Sequence, residues 1–408
     1  MTHRRGSRYL SSVVALVAAL ALALAACSSG GTKDAAGDSS STTVAPAATD
    51  YSGPGPFPVG TAKATIGDQA VYLYYPADPA RLGEGTPVTG YSSADAFPEV
   101  FKAIAPTQLI QQIPFEATLD APIAAGSFPV VLFSHGFASY PEYSAGHLAH
   151  LASWGFFAAA PDHTSRDLTA VATNTVTAGG EDVVDLRETL QLLHTQAAAG
   201  GRFAGAIDFE HVAAEGHSAG GSAAAQLVND PEIDTFIGQA PASPLDLSAS
   251  GAIDDAALAA AYAATPPPAK PSMIIAAERD GIIPLAGIDA EYAWLAPPKR
   301  YAVLANAGHN AFTDICKPIR EQGGLSQFSA QLPIAAVVFK LGEDGCTDGY
   351  ADPATTYRVV DHLTVAQLRW VFGTDPTDAS LAPGYVESLF PGALARYESE
   401  GSTASGQG

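Results

Sequence analysis

Basic residues are scarce in this chain of 408 residues, which has 20 lysines and arginines against 42 aspartates and glutamates. The formal net charge of −22 opposes binding to nucleic acid or to an anionic membrane surface, because both are polyanions. Charged residues make up only 15% of the chain, whereas apolar residues make up 47%. The composition is sufficient for a large buried core, and we interpret the acidic excess as a source of solubility outside the cell.

Cysteine is also scarce, since the chain has only three cysteines, at positions 27, 316 and 346. No Cys-x-x-Cys pair is present, which argues against a cysteine-based metal site, and we expect no metal. In an exported protein, Cys316 and Cys346 most simply form one disulfide. That bridge would close a loop of about 30 residues and stabilise the fold by roughly 3–4 kcal/mol.

The N-terminus has the pattern of a processing segment rather than of a folded element. Three arginines precede an uncharged apolar run over residues 9–26, and this run ends directly before Cys27. The arrangement resembles a bacterial lipobox, so we predict a signal peptide over residues 1–26 and lipidation of Cys27. The alternatives are an ordinary signal peptide and an uncleaved anchor helix.

Residues 27–58 are rich in Ser, Thr, Ala, Gly and Pro, which predicts a flexible tether. The tether would hold a globular domain outside the cytoplasm, either anchored to the bacterial cell membrane through Cys27 or secreted. We expect a monomer that contacts the membrane only through its lipid anchor.

Short apolar runs recur along the chain, and each is typical of a strand buried on both faces of a sheet. They lie at residues 71–75, 129–133, 156–160, 211–215, 235–237, 273–275 and 301–304. Helical patterns lie between these runs, at residues 142–154, 181–198 and 286–295, and one more follows the last run, at residues 365–372. This alternation predicts an α/β fold with a doubly wound, mainly parallel sheet and helices on both faces. No internal repeat is visible, so we expect one catalytic domain over residues 59–375.

Two long segments interrupt this alternation. Residues 81–127 are rich in Pro, Gly and Ser and predict either a cap beside the site or irregular surface cover. Residues 313–362 form a second insertion, which contains both cysteines of the expected disulfide. The tail over residues 376–408 ends in small polar residues, and we expect it to be frayed.

Residues 216–221 read Gly-His-Ser-Ala-Gly-Gly and follow an apolar run, which is the G-x-S-x-G pattern. In this pattern the serine, here Ser218, lies on a strained turn between a strand and a helix, with its hydroxyl exposed. The N-terminal amides of that helix point to the same place, where an oxyanion can be stabilised. We predict that Ser218 is a nucleophile and that Ala219 donates one amide to an oxyanion hole.

A serine nucleophile needs a histidine as its base. Only His309 and His362 follow Ser218 in the chain. His309 lies in a glycine-flanked loop directly after a predicted strand, where ligands meet an open α/β sheet. His362 lacks such a loop, and we expect it to cap a helix or lie on the surface. The pattern favours His309 as the base.

The histidine in turn needs a carboxylate that orients it. Asp280 follows the predicted strand that begins at residue 273, in a turn stiffened by Gly281 and Pro284. Ser218, Asp280 and His309 would then lie at the ends of three strands, so the pattern favours Asp280. The rival carboxylates are Glu278, Asp246 and Asp289.

The loop over residues 133–137, Phe-Ser-His-Gly-Phe, follows an earlier strand and predicts a second oxyanion donor in the amide of Phe137. His135 precedes the nucleophile in the chain, so we expect it to brace this loop rather than to act as a base. A cluster of polar residues later in the chain could suggest a metal site, but we interpret it as part of a loop that supports the active site. This group consists of Asp162, His163, Arg166 and Asp167.

Five motifs together resemble the α/β-hydrolase superfamily, and more narrowly its platelet-activating-factor acetylhydrolase-like and polyesterase/cutinase-like branch. They are the motifs at residues 133–137, 159–163, 216–221, 278–284 and 307–309. The resemblance implies hydrolysis of carboxylic esters without a cofactor, and a substrate that is a small-molecule, lipid or polyester ester. Dienelactone hydrolases, a neighbouring branch, usually carry a cysteine where this chain has Ser218. Compact cutinase-like enzymes lack the insertion over residues 313–362 in this form.

These observations predict an extracytoplasmic serine esterase or lipase that forms an acyl-enzyme on Ser218. One alternative is a non-catalytic surface lipoprotein that binds a ligand with the same fold. Another is a thioesterase or peptidase, because a triad fixes acyl transfer and not the leaving group.

Overall fold

The structure is a computed structural model, and it describes residues 47–177, 181–245, 255–331 and 336–401. The predicted signal peptide, Cys27 and most of the predicted tether lie outside these residues. So does Asp246, one of the rival carboxylates.

Most strands of the described residues belong to one large sheet. The strands are β1 (Val59–Ile66), β2 (Gln69–Pro76), β3 (Thr86–Val88), β4 (Tyr91–Ser92), β5 (Gln112–Ile113), β6 (Ala117–Leu119), β7 (Phe128–Ser134), β8 (Phe157–Pro161), β9 (Ile207–His217), β10 (Thr235–Gln239), β11 (Ser272–Ala277), β12 (Lys299–Leu304) and β13 (Leu394–Glu400). Eleven of them form the sheet in the order β13-β12-β11-β10-β9-β7-β8-β2-β1-β6-β3, and β4 pairs with β5 separately.

The centre of the sheet is parallel, from β8 through β7, β9, β10 and β11 to β12. The chain goes from β7 to β8 on one side and then crosses to β9 on the other side, so the strand order reverses at β7. Loops at the carboxyl ends of strands diverge at such a reversal and leave a crevice there. The predicted doubly wound, mainly parallel sheet is therefore confirmed, and Ser218 follows β9 at this crevice.

The helices are α1 (Glu99–Lys102), α2 (Ala145–Ser153), α3 (Leu168–Thr173), α4 (Glu181–Ala197), α5 (Ala219–Leu227), α6 (Asp255–Ala264), α7 (Leu285–Trp294), α8 (Cys316–Glu321), α9 (Ala336–Glu343), α10 (Pro353–Val371) and α11 (Pro383–Leu389). The predicted helices at residues 142–154, 181–198 and 286–295 correspond to α2, α4 and α7. No helix in the described ranges has both the length and the hydropathy needed to cross a bilayer.

Helices cover both faces of the sheet, and β7 shows why. Successive side chains of a strand point to opposite faces. Val131 and Phe133 pack into the core that includes residues of α2 and α10. Val130 and Leu132 pack into the opposite core, with residues of α4, α5 and α7. A strand buried on both sides is apolar at nearly every position, which is the pattern seen in the sequence.

The folded domain extends beyond the predicted bounds of 59–375 at both ends. Tyr51, which we assigned to the tether, is buried and its ring lies 4.9 Å from that of Trp154. The C-terminal tail was expected to be frayed, but β13 pairs antiparallel with β12 along the sheet edge. The expectation rested on the small polar residues that end the chain, whereas β13 ends before them, at Glu400. Its mixed polar sequence is typical of an edge strand, which is only partly buried.

The two insertions also differ from their predicted form. The first, over residues 81–127, was expected to be a cap beside the site or irregular surface cover. Part of it does lie beside Ser218, whereas another part extends the sheet, because β6 pairs with β1 and β3 pairs with β6. The second ends earlier than predicted, because α10 begins at Pro353 and not near residue 365. Asp352 starts this helix, since its carboxylate accepts a hydrogen bond from the amide of Thr355.

Glu291 of α7 is fully buried, and neither of its carboxylate oxygens has a hydrogen-bond partner among the described residues. Burial raises the pKa of Glu291 well above its ordinary value, so the folded protein favours the protonated form. The unfolded chain releases this proton more readily, and the stability of the fold therefore decreases as the pH rises above the unfolded-state pKa.

We expect Glu291→Met to stabilise the fold by roughly 1–3 kcal/mol at pH 8, since Met has a similar length and no charge to desolvate. The gain should be smaller at pH 5, because this pH is close to the unfolded-state pKa and protonating the carboxyl group on folding costs little there. Thermal unfolding at the two pH values measures this difference. Glu188→Met, at an exposed position of α4, is the matched control and should show no such pH dependence. An equal shift at both pH values would contradict the assignment.

Candidate active site

Ser218 lies between the end of β9 and the start of α5, with a positive φ of 57° and a ψ of −120°. Non-glycine residues rarely adopt this conformation, and it is a source of local strain. The flanking glycines are required by packing. A Cβ atom on Gly216 would overlap with the carbonyl of Gly220, and one on Gly220 would overlap with the carbonyl of Ser134. The local sequence therefore produces the predicted sharp turn.

The structure brings the three predicted residues together in one hydrogen-bonded chain. The Nε2 atom of His309 lies 2.9 Å from Oγ of Ser218, and its Nδ1 atom lies 2.8 Å from Oδ2 of Asp280. An ionised carboxylate only accepts hydrogen bonds, so Nδ1 carries the proton and Nε2 is free to accept the serine proton. The amides of Ile282 and Ile283 both donate to Oδ1 of Asp280, each over 2.8 Å, and hold its carboxylate in place.

The two rival carboxylates within the described residues have other partners. Glu278 accepts a hydrogen bond from the amide of Asn306 over 2.7 Å, which links the loops of Asp280 and His309. Asp289 pairs with Arg396 and accepts the hydroxyl proton of Tyr301. Neither is hydrogen-bonded to His309.

His362, the rival base, does not lie on the surface. It is fully buried on α10, its Nδ1 accepts from the amide of Tyr51, and its Nε2 donates to the carbonyl of Ser380. Burial lowers its pKa. The expectation of a capping or surface histidine is wrong, because His362 anchors the N-terminal segment that we had assigned to the tether.

The two predicted oxyanion donors lie in elements that meet at Ser218. Ala219 is the first residue of α5, so its amide has no partner within the helix. The loop that contains Phe137 passes close to the serine, since a Cβ atom on Gly136 would lie 3.4 Å from the Cβ of Ser218. Neither amide takes part in a hydrogen bond among the described residues. Both are available to an oxyanion.

His135 braces this loop, as we expected. Its Nδ1 donates to the carbonyl of Gly136 over 2.8 Å, and its Nε2 accepts from the amide of His163 over 3.0 Å. The loop is further turned at Ala138, whose φ is 54° and whose amide donates to the carbonyl of Arg166 over 2.9 Å.

A buried polar cluster supports the same loop from behind. The imidazole of His163 lies 2.8 Å from Oγ of Ser134 and 2.8 Å from the carboxylate of Asp185. His163, Asp185 and Asp182 are close enough to form a possible cation site. However, the guanidinium of Arg166 already donates to Asp182 over 2.6 Å and to Ser134 over 3.2 Å. The fixed positive charge of Arg166 would repel a metal cation here, which fits our interpretation of this cluster as a structural support for the loop.

Sequence reasoning missed His217, the variable residue of the G-x-S-x-G pattern. Its Nε2 donates to the carbonyl of His309 over 2.9 Å, and the two rings lie 4.8 Å apart. Burial, followed by the influence of His309, lowers the pKa of His217 to about 3, so this imidazole is neutral. It holds the backbone of the histidine loop without adding a charge next to the triad.

An apolar cleft lies above Ser218, with about 1040 Å³ of unfilled space that includes open solvent. The two insertions meet over it, where Leu109 of the first packs against Phe328 and Phe339 of the second. Within the described part of the chain, the residues that line the cleft include no Asp, Glu, Lys or Arg. The second insertion is closed by the predicted Cys316–Cys346 disulfide.

Comparisons with known proteins agree with this fold. A family model described as Chlorophyllase matches residues 99–269. A solved structure of a ferulic acid esterase from Streptomyces cinnamoneus is similar in fold, with a TM-score of 0.56 and 21% sequence identity over 77% of this chain and 89% of that chain. No curated protein matches the chain significantly. The likeness in structure shows that the chain has the α/β-hydrolase fold that the sequence predicted.

We expect Asp280→Asn to lower the reactivity of Ser218 towards a fluorophosphonate by roughly 10⁴-fold. The asparagine oxygen can still accept from Ile282 and Ile283, so the turn keeps its shape. Its amide nitrogen would face Nδ1 of His309 and favour the wrong tautomer of the imidazole. The measurement is the rate of fluorophosphonate labelling. Asp289→Asn is the matched control, and an equal loss in both variants would contradict the choice of acid.

Proposed function

We propose that this protein, which has the α/β-hydrolase fold, is a serine esterase that cleaves carboxylic esters through an acyl-enzyme on Ser218. The hydrogen-bonded chain from Ser218 through His309 to Asp280, at the base of an apolar cleft, is the observation that carries the proposal. The match to the Chlorophyllase model and the fold shared with a ferulic acid esterase support an ester as substrate.

The geometry supports a reaction in two halves. In the first, Nε2 of His309 takes the proton of Ser218 while Oγ attacks the ester carbonyl carbon. The amides of Phe137 and Ala219 stabilise the oxyanion, and Asp280 stabilises the imidazolium. His309 then protonates the leaving alcohol, and an acyl-enzyme remains. In the second half His309 activates water, which attacks the acyl group and releases the acid and the free serine.

The chemistry of the cleft favours uncharged esters with a large apolar acyl or alcohol group. Phe97, Leu109, Ile319 and Phe339 are among its apolar lining residues, and none of its described residues carries a fixed charge. A charged substrate group would lose its hydration in this cleft without gaining a counter-ion. An apolar group of similar size would instead gain from the burial of its surface.

We expect Ser218→Ala to abolish hydrolysis of p-nitrophenyl butyrate, because it removes the attacking oxygen. Ser222→Ala, on the following helix, should retain the activity and serves as control. Turnover by Ser218→Ala at the wild-type rate would contradict the proposal, as would faster turnover of a thioester or an anilide. Wild-type protein that neither turns over esters nor reacts with fluorophosphonate would favour a ligand-binding role.

The substrate preference has its own test. A p-nitrophenyl ester of a dicarboxylic acid carries a negative charge that an ester of a similar neutral acid lacks. We expect kcat/KM for the charged ester to be roughly 10–100-fold lower, which corresponds to about 1.4–2.8 kcal/mol. Equal values for the two esters would show that the acyl group lies outside the apolar cleft.

We also propose that the protein is exported and lipid-anchored through Cys27. The disulfide between Cys316 and Cys346 is typical of a protein that folds in an oxidising compartment. We expect Cys27→Ala to release the protein from the membrane fraction, and cell fractionation measures this. If the variant remained in the membrane fraction to the same extent as wild type, the uncleaved apolar run over residues 9–26 would be the anchor instead.

A further inference from the structure

Asp344 lies in the second insertion, directly after α9, and sequence reasoning gave it no role. Its Oδ1 atom accepts a hydrogen bond from the amide of His309 over 2.7 Å. The same oxygen accepts from the amide of Gly281 over 3.3 Å. Gly281 directly follows Asp280, so one carboxylate links the loop of the base to the loop of the acid.

The backbone around Asp344 adds a second connection to the histidine loop. The amide of Asn310 donates to the carbonyl of Asp344 over 2.9 Å. The chains also approach each other closely, because a Cβ atom on Gly308 would lie 2.5 Å from Cα of Gly345. A Cβ atom on Gly281 would overlap with the carboxylate of Asp344. Glycine at these positions allows the insertion to pack directly against both loops.

A further contact links the same segments from the other side. The guanidinium of Arg279, the residue before Asp280, donates to the side chain of Asn306 over 2.6 Å and to the carbonyl of Gly349 over 2.8 Å. It also lies 4.4 Å from the centre of the Tyr350 ring. The segment over residues 344–350, which we call the clamp segment, therefore contacts both loops of the triad.

The disulfide holds the clamp segment to the same part of the fold. Cys346 follows Asp344 closely and is bonded to Cys316, which starts α8 shortly after His309. Both cysteines are buried. The backbone from His309 to Cys316, the disulfide, and the hydrogen bond from Asp344 back to His309 thus form a closed ring.

We propose that Asp344 is a positioning residue, which fixes the loop of His309 relative to the loop of Asp280. Its own position depends on the Cys316–Cys346 disulfide. The inference rests on the proposed function. Asp344 contacts the backbone of the histidine and not Ser218, and it does not line the described cleft. Its loss should therefore affect the catalytic step more than substrate binding.

The first test compares steady-state kinetics of wild type, Asp344→Ala, Asp344→Asn and Asp348→Ala on p-nitrophenyl butyrate. We expect Asp344→Ala to lower kcat roughly 10–100-fold, since small displacements of catalytic groups have effects of this size. KM should change by less than about twofold, as expected for loss of an interaction that matters only in the transition state. Asp344→Asn should restore most of kcat, because its amide oxygen can accept from the same two backbone amides.

Asp348→Ala removes an exposed carboxylate from the same segment and should behave as wild type. Unchanged kcat in Asp344→Ala would overturn the inference, and so would a loss confined to KM. An equal loss of kcat in the alanine and asparagine variants would show that the hydrogen bonds accepted by Asp344 do not position the triad. If wild type shows neither ester turnover nor fluorophosphonate labelling, the proposed function fails instead.

The second test removes the disulfide with Cys316→Ala and Cys346→Ala together. We expect kcat to fall in the same direction as in Asp344→Ala, and we expect Asp344→Ala to have a smaller effect in this background than in wild type, because both changes release the same clamp. Fully additive losses would overturn the dependence of Asp344 on the disulfide. Where Asp344→Ala fails to fold, reduction of the wild-type disulfide under native conditions gives the same readout, and unchanged kcat of the reduced protein would overturn the inference.

Discussion

The backbone of Ser218 is held in a strained conformation, and the neighbouring elements are arranged around that constraint. A non-glycine residue at a φ of 57° costs on the order of 1–3 kcal/mol, so the surrounding structure must fix it. The amide of Ser218 donates to the carbonyl of Gln239 over 2.9 Å, and its carbonyl accepts from the amide of Ala242 over 3.0 Å. Both partners lie on or next to β10. The strand beside the nucleophile thus holds the turn, and the turn presents the hydroxyl to His309.

A buried ionic network lies beneath this turn and fixes β9 to the helices on one face. Glu215 of β9 accepts from the imidazole of His147 over 3.1 Å, and His147 donates from its other nitrogen to Asp361 over 2.7 Å. Burial lowers the pKa of His147, but the carboxylates of Glu215 and Asp361 outweigh it and raise the pKa to about 10. A positive imidazolium therefore lies between two carboxylates. Removing His147 would leave two buried carboxylates without their counter-charge, which costs more than the network contributes as a whole.

The triad and the parallel sheet could be predicted because both follow from short stretches of sequence. Buried strands are continuous apolar runs, and Ser218, Asp280 and His309 each follow such a run. Since parallel strands end at one edge, their order in the chain was enough to bring them together. The position of β13 could not be predicted in this way, because it depends on pairing with a distant strand. The location of His362 was predicted wrongly and Asp344 was missed for the same reason, since their partners, Tyr51 and His309, are remote in sequence.

The second insertion contacts both the cleft and the triad. α9 carries Phe339 into the cleft lining, and Asp344 follows the end of the same helix. A substrate that packs against Phe339 therefore contacts the element whose end holds the backbone of His309. Asp344 directly follows α9, so the position of this helix also sets the position of the carboxylate that accepts from the amide of His309. Apolar contacts with the substrate and the orientation of the base thus share one structural element, α9 with the residue that follows it.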